Sequence, residues 1–146
     1  EIVTVDFGAR LDDYVCDITR NFVIGEATRE QRELHDLIKK AHITSAKALK
    51  DGASGQAIHN IACDVLGEKS KYFTHSLGHG IGLYIHESPR LSYRKDYKLK
   101  TGQVVTVEPG LYFEGKFGMR LEDDYLIKEN GAERLTSSMP QELFEI

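Results

Sequence analysis

Residues 104–127 read VVTVEPGLYFEGKFGMRLEDDYLI, and this stretch indicates two antiparallel strands joined by a turn. The apolar run from Val104 to Val107 predicts one strand, which ends at Glu108-Pro109-Gly110. Two glycines, Gly115 and Gly118, predict the turn, and residues 119–128 predict the final strand. Each strand carries an unexpected carboxylate, because Glu108 ends the first strand and Glu122 follows Leu121 in the second.

The N-terminal 25 residues repeat this pattern. Asp6 follows the apolar run that begins at Ile2, turn residues occupy positions 11–13, and Asp17 interrupts a return strand predicted over residues 14–24. The carboxylates of each pair are separated along the chain by one turn only. Both intervals allow the two members of a pair to face each other on paired antiparallel strands.

Four carboxylates in strands that are at least half buried need a common counter-charge. Burial of an unpaired ionised carboxylate costs several kcal/mol or forces it to take up a proton. A histidine can join them: residues 74–90 show no helical or strand periodicity, so we expect a flexible loop that brings His79 over the sheet. A donor set of oxygens with one nitrogen and no sulfur suits Mn²⁺, Co²⁺ or Zn²⁺ better than a thiolate zinc site would.

Two helices are predicted between the strand pairs. Thr28 and Gln31 form a capping-box signature for a helix that runs to about Lys50, with Asp51-Gly52 after it. A second helix begins near Ser54 and has Gly67 as its C-terminal cap; its apolar positions fit the helical template and are Ile58, Ile61, Ala62, Val65 and Leu66. We expect residues 140–146 to dock as a last short element. The order predicts a single α+β domain over residues 1–146 with antiparallel pairing.

Composition excludes several classes of function. A formal net charge of −4 argues against nucleic acid as the main partner, and no apolar run approaches the roughly 20 residues that span a bilayer. No signal peptide opens the sequence. Cys16 and Cys63 form no disulfide framework, so a reduced, cytoplasmic setting is expected.

Five segments in order resemble the motifs of the pita-bread metallopeptidases: VTVDFGA, YVCDITR, HSLGHGIGLYIHE, VTVEPGLY and GMRLEDDYLI. The likeness covers nearly the whole chain and is closest to aminopeptidase P and prolidase, the Xaa-Pro peptidases. It implies a pita-bread fold with a curved antiparallel sheet and helices on the outside. It also implies that residues 1–146 are the larger, C-terminal part of a catalytic domain. In the family another half-domain with an active-site histidine, and often a separate N-terminal domain, precede this part.

The resemblance also implies a site for two divalent ions, with Mn²⁺ favoured and Co²⁺ or Zn²⁺ as alternatives. Asp17 and Glu122 would bridge the ions, Asp6 would bind one, and His79 and Glu108 would bind the other. Four residues would act on the substrate: Glu108 as proton acceptor, His86 at the scissile carbonyl, His75 in the substrate pocket, and Arg120, typical of the Xaa-Pro branch.

The activity so implied is hydrolysis of Xaa-Pro bonds in proline-containing peptides by a hydroxide held between the ions, in a protein that is a homodimer at full length. Methionine aminopeptidase, which shares the ligands, is the alternative enzyme, but the segments DITR and GMRLED favour the Xaa-Pro branch. A non-catalytic, peptidase-like binding module is the alternative outside enzymes. Such modules have generally lost metal ligands, whereas this chain keeps all five; creatinase is disfavoured on the same ground.

Other interpretations of single residues stay open at this point. His75 can equally be structural, and Arg120 can pair with a nearby carboxylate such as Glu122 or Asp123. Cys16 and Asn21 stand where the family has serine and often threonine. The remaining histidines (His35, His42 and His59) are expected to be solvated or packing residues, and the charged residues of segment 90–100 are expected to form a solvated loop.

Overall fold

The computed structural model describes residues 1–146 and combines two helices and one 3₁₀ helix with twelve short strands. The helices are α1 (Arg29–Ala46) and α2 (Gly55–Leu66), and the 3₁₀ helix covers Gly67–Tyr72. The strands are β1 (Ile2–Phe7), β2 (Arg10–Leu11), β3 (Tyr14–Val15), β4 (Ile18–Val23), β5 (Gly78–Gly80), β6 (Glu87–Leu91), β7 (Val104–Val107), β8 (Gly110–Phe113), β9 (Phe117–Arg120), β10 (Asp123–Lys128), β11 (Gly131–Arg134) and β12 (Phe144–Glu145). Neither helix has the length and apolar character that crossing a membrane requires.

The predicted α+β arrangement is confirmed, with mainly antiparallel sheets. The larger sheet has the order β11-β10-β7-β5-β6, and a second sheet has the order β1-β4-β12. The C-terminal segment docks as predicted, because β12 pairs with β4, in the parallel sense. An isolated bridge between Thr19 in β4 and Glu122, the residue before β10, joins the two sheets by backbone pairing.

Helix α1 begins as the sequence predicts and ends earlier. The side chain of Thr28 accepts a hydrogen bond from the backbone of Gln31, whose own side chain accepts one from the backbone of Thr28, which completes the capping box. The helix ends at Ala46 and not at Lys50, so the predicted end is wrong. The backbone N–H of Leu49 donates to the carbonyl of Ala46 at 3.1 Å, an i→i+3 bond that tightens the chain after the helix.

Helix α2 matches its prediction. Ser54 caps its first turn, and Gly67 follows the last turn with φ of 57°, a conformation that glycine adopts without strain. Its buried apolar residues are Ile58, Ala62 and Leu66, which join α1 and the larger sheet in one hydrophobic core. The same core includes Val105 and Val107 of β7 and Tyr125 and Ile127 of β10, the strands next to Glu108 and Glu122.

Residues 74–90, predicted to be a flexible loop, contain two strands instead. His79 lies in β5, between β7 and β6 in the larger sheet, and is buried. Glycines on either side of it permit this: a Cβ at Gly78 would lie 1.9 Å from the carbonyl oxygen of Thr106, and one at Gly80 would lie 2.4 Å from that of Ser88. A three-residue strand is too short to show periodicity in the sequence, which is why the prediction missed it.

The expectation that all four acidic strands are at least half buried is wrong for β1. This strand pairs with β4 and has no neighbour on its other edge, so Val3, Val5 and Phe7 are exposed. The Asp6 side chain is 54% exposed. The burial argument for a counter-charge therefore applies to the other three carboxylates.

Candidate metal centre and active site

Three of the four acidic residues lie where a strand is interrupted. Asp17 lies between β3 and β4, Glu108 between β7 and β8, and Glu122 between β9 and β10. The sequence predicted unbroken strands over residues 14–24 and 119–128, and both predictions are corrected by these breaks. At a break, the chain leaves the hydrogen-bonded ladder, so the side chain is free to turn toward a common centre.

The breaks bring the predicted ligands together. Single ligand atoms of Asp17, His79 and Glu122 all lie within 4.8 Å of one another. Glu108 joins this group, because its Oε1 is 3.3 Å from Nε2 of His79. Asp6 lies beside Asp17 at the more exposed end of the cluster: burial is the main cause that raises the pKa of Asp17, and the Asp6 carboxylate raises it further. The structure thus places the five residues at one site, and their role as ligands stays a prediction.

The ring of His79 is oriented by its own strand. Its Nδ1 is 3.0 Å from the carbonyl oxygen of Gly80. A carbonyl can only accept a hydrogen bond, so Nδ1 carries the hydrogen and Nε2 keeps its lone pair. Nε2 faces Asp17 at 3.8 Å and Glu108 at 3.3 Å. A histidine prepared in this way is suited to metal binding.

Burial raises the pKa of three carboxyl groups at the site. The pKa of Glu122 rises to about 9, chiefly by burial and then by repulsion from Glu108. The pKa of Glu108 rises to about 7 by burial, although Arg120 and Thr106 oppose the rise. The pKa of Asp17 rises to about 6, again by burial first and then through Asp6. These groups favour protonation in the absence of positive charge, and bound cations would displace the protons.

Arg120 supplies part of that positive charge. Its guanidinium donates to Asp6, and its Nε lies 3.7 Å from Glu122 and 3.9 Å from Glu108. It makes no pair with Asp123, which binds Arg20 instead. Arg120 also donates from Nε to Oγ1 of Thr19 at 3.1 Å, and the same hydroxyl donates to Glu122 at 2.5 Å. Arg120 therefore belongs to the site itself.

The chemistry of the donors fits divalent ions. The cluster offers carboxylate oxygens and one imidazole nitrogen with a free lone pair, and no thiolate takes part. Hard or borderline ions such as Mn²⁺, Co²⁺ and Zn²⁺ accept such ligands. The buried carboxyls with raised pKa values have only one neighbouring cation, the guanidinium of Arg120. The residues present therefore fit a site for divalent metal ions.

A cleft of about 430 Å³ opens above the cluster. His75, His79, His86, Glu108 and Arg120, all predicted site residues, line it. His86 is exposed, and its ring centroid is 4.5 Å from that of His79. Asp6 lies on the wall of the same cleft. Three of the five expected metal donors thus line the same cleft as the expected substrate-binding side chains, and the other two, Asp17 and Glu122, cluster with His79.

His75 is part of a hydrogen-bonded chain that ends at Arg120. Its Nδ1 is 2.8 Å from the carbonyl oxygen of Ser76, so Nδ1 donates and Nε2 must accept. The hydroxyl of Tyr112 lies 2.9 Å from Nε2 and donates to it, while NH1 of Arg120 donates to Tyr112 at 3.2 Å. Burial is the main cause that lowers the pKa of His75. The sequence did not identify Tyr112, which follows Glu108-Pro109-Gly110 by two residues.

Three further residues on the cleft wall were missed: Arg90, Tyr93 and Arg94. The sequence placed the two arginines in a solvated loop. They are exposed, as expected, but Arg90 is paired with His79 across strands β5 and β6, so that it borders the site. No sequence signal indicated this, because neither strand was predicted.

Comparison with known proteins finds related sequences and structures. The family model described as metallopeptidase family M24 matches residues 1–129. The Xaa-Pro dipeptidase of Pyrococcus furiosus is 42% identical over 140 residues, which is 94% of this chain and 40% of that protein. The crystal structure of an X-Pro aminopeptidase from Thermotoga maritima superposes with a TM-score of 0.95 at 41% identity, over 99% of this chain and 42% of that one. A prolidase structure from P. furiosus gives a TM-score of 0.92 at 41% identity, over 95% and 42%. The chain thus spans about two fifths of the length of these relatives.

Proposed function

Because the chain belongs to metallopeptidase family M24, we propose that the intact protein is a metal-dependent peptidase that hydrolyses Xaa-Pro bonds. One observation carries the proposal: the predicted metal donors converge directly beneath the cleft that His75, His86 and Arg120 line. The family and the pita-bread fold that the sequence motifs implied are both confirmed. The substrate class is taken from the relatives, which are an Xaa-Pro dipeptidase, an X-Pro aminopeptidase and a prolidase.

The metal ions would be held by Asp6, Asp17, His79, Glu108 and Glu122. When bound, a pair of divalent ions lowers the pKa of a water molecule and polarises the scissile carbonyl. Glu108 would take up a proton at its carboxylate and pass it to the leaving nitrogen.

The donors of the cleft suit the chemistry of an Xaa-Pro bond. This bond is a tertiary amide without an N–H, so it offers the protein only hydrogen-bond acceptors. The cleft wall presents matching donors: His86 would donate to the developing oxyanion, and Arg120 lies beside it in the same space. Tyr112 and His75 hold the guanidinium of Arg120 in place.

We propose the identity of the metal and the compartment from the donor set and the composition. Mn²⁺ is the proposed ion, because carboxylate oxygens outnumber the single imidazole nitrogen. Cys16 and Cys63 are both free thiols, which agrees with a reduced, cytoplasmic compartment. The homodimer that the family resemblance implies stays a prediction.

Turnover by the intact protein tests the proposal. It should be purified, stripped of metal, reloaded with Mn²⁺ and assayed on an Xaa-Pro dipeptide, an Xaa-Pro tripeptide and a Met-initiated peptide without proline. We expect hydrolysis of at least one Xaa-Pro substrate, dependent on added metal. Turnover of the Met-initiated peptide alone would replace this proposal by methionine aminopeptidase.

Metal binding separates the enzyme from a binding module. A protein that takes up no Mn²⁺, Co²⁺ or Zn²⁺ at micromolar concentrations and hydrolyses none of the three peptides would favour the module. The family members named above, an Xaa-Pro dipeptidase among them, favour the enzyme.

A further inference from the structure

Arg20 is a fully buried arginine behind the metal centre, and all five of its N–H donors have acceptors. Its side chain is 1% exposed. Nε donates to the carbonyl of Pro140 at 2.6 Å; NH2 donates to Asp123 at 2.6 Å and to the carbonyl of Met139 at 3.3 Å. NH1 donates to the carbonyls of Thr19 at 2.8 Å and Glu122 at 2.6 Å. Five donors are the full capacity of a guanidinium.

NH1 of Arg20 donates to the carbonyls of Thr19 and Glu122, and these two residues lie where the two sheets meet. Thr19 and Glu122 form the isolated bridge between the sheets, in which the N–H of Glu122 donates to the carbonyl of Thr19 at 3.3 Å. That single backbone bond is long. On the opposite side of the bridge, the Thr19 hydroxyl donates to the Glu122 carboxylate at 2.5 Å. Arg20 therefore stabilises the junction on the side away from the proposed metal centre, and the Thr19 hydroxyl stabilises it on the side that faces the metal centre.

Asp123 connects the hydrogen bonds of Arg20 to the C-terminal segment. Its carboxylate, which is 0% exposed, accepts from Thr136 at 2.5 Å and from Gln141 at 2.6 Å as well as from Arg20. His42 of α1 lies 3.3 Å away. The acceptors Met139 and Pro140 and the donors Thr136 and Gln141 all follow residue 129, where the match to the family model ends.

We propose that Arg20 and Asp123, held by residues 136–141, are positioning residues that fix the separation of Asp17 and Glu122. Asp17 precedes Thr19, the junction residue in β4, by two residues, and Glu122 is the junction residue next to the start of β10. Asp17 directly precedes β4 and Glu122 directly precedes β10, so the ladders within each sheet do not set the distance between these two carboxylates. Contacts across the junction set it, and they include the backbone N–H of Asp17, which donates to Asp124 at 3.1 Å. A pair of ions requires that distance to be constant. The inference rests on the proposed metal site, and it concerns the affinity for metal.

The test compares Mn²⁺ affinity among variants of the intact protein, measured by calorimetry or by the EPR signal of free Mn²⁺. Arg20→Lys keeps the charge but has three donors and no planar fork, so two bonds at least are lost. The pair Arg20→Met with Asp123→Leu removes both charges and leaves neither buried alone, which keeps the fold accessible. We expect each to weaken Mn²⁺ binding by roughly 10- to 100-fold, the usual effect of losing a residue that orients metal ligands.

Leu66→Ala supplies the matched control, because Leu66 is buried in the core on α2, a helix that carries none of these residues. It should lower the melting temperature and leave the Mn²⁺ dissociation constant unchanged. If Arg20→Lys and the double variant also change only the melting temperature, the role is structural and the inference is overturned. It is overturned equally if the wild-type protein binds no Mn²⁺. A wild-type protein that binds Mn²⁺ but cleaves no Xaa-Pro peptide would contradict the proposed function alone, since the affinities still decide the role of Arg20.

Discussion

Glu108 and Glu122 occupy opposite positions one step beyond the last residue pair of the β7–β10 ladder. That last pair is Val107 with Asp123, so continuing the register places the two glutamates across from each other. The chain breaks out of both strands at this step, which turns the two carboxylates toward His79 and Asp17. This register explains why Glu108 and Glu122 lie close together although β8 and β9 separate them in the sequence. The pairing of two buried carboxylates is unfavourable without a cation, and this fact underlies the predictions for the site.

Replacement of Glu108 by glutamine should reduce the turnover number by about 10²–10⁴-fold, the range typical of losing a general base. The amide is nearly isosteric and carries no charge, so the melting temperature should not fall. Hydrolysis of an Xaa-Pro dipeptide at saturating Mn²⁺ is the measurement, with circular dichroism as the check on folding. Glu114→Gln, at an exposed position in the β8–β9 turn, is the control. Wild-type turnover in Glu108→Gln would refute the proton-transfer role.

Truncation of His86 to alanine should lower kcat by roughly 10²–10³-fold, the effect of losing one oxyanion donor, and change KM much less. His86 is exposed beside the ring of His79, so its removal should leave stability unaffected. Steady-state kinetics on an Xaa-Pro substrate distinguish the two parameters. Tyr84→Ala, two residues earlier and 72% exposed, should behave as wild type. An unchanged kcat in His86→Ala would show that the residue has another role.

The change Tyr112→Phe should lower kcat/KM about tenfold. It deletes the hydroxyl that donates to His75 and accepts from Arg120, and a hydrogen bond to a charged group contributes about 1.5–3 kcal/mol. Kinetics of the variant should be compared with those of Tyr14→Phe, an exposed tyrosine at the N-terminal hairpin. Equal kcat/KM values for the two variants would mean that the chain from His75 to Arg120 does not act on the substrate.

Stability should fall between pH 6.5 and pH 4 in part because of His42. Burial lowers the pKa of His42 to about 4, against the opposing attraction of Asp123 and with the repulsion of Arg20 and Arg134. In that range the unfolded chain binds a proton that the folded chain excludes, so unfolding becomes more favourable as the pH falls, by up to about 1.4 kcal/mol per pH unit. Above pH 6.5 both states are neutral and the effect disappears.

Urea unfolding of wild type and His42→Gln from pH 4.5 to 7.5, without added metal, measures this contribution. As the pH is lowered, the unfolding free energy of His42→Gln should rise relative to that of wild type. Parallel curves for wild type and His42→Gln would show that His42 does not titrate with folding.

Local sequence determined where the helices begin and which family the chain belongs to. The capping box at Thr28 and Gln31, the apolar face of α2 and the glycine at position 67 depend on neighbours within a few residues, so they can be identified without a structure. The five motifs with their acidic residues and His79 identified the family, because metal chemistry restricts which side chains are suitable.

Tertiary structure alone decided what surrounds these residues. Whether His79 lies in a loop or in a strand depends on close approach by the backbones of β7 and β6, which no local pattern records. The same holds for the approach of Arg90 to the cleft, the exposure of β1, and the contact of Arg20 with Asp123, 103 residues away. Periodicity reports how a residue relates to its own element. The packing of one element against another is set by contacts between distant parts of the chain, and here those contacts join the two sheets at the metal centre.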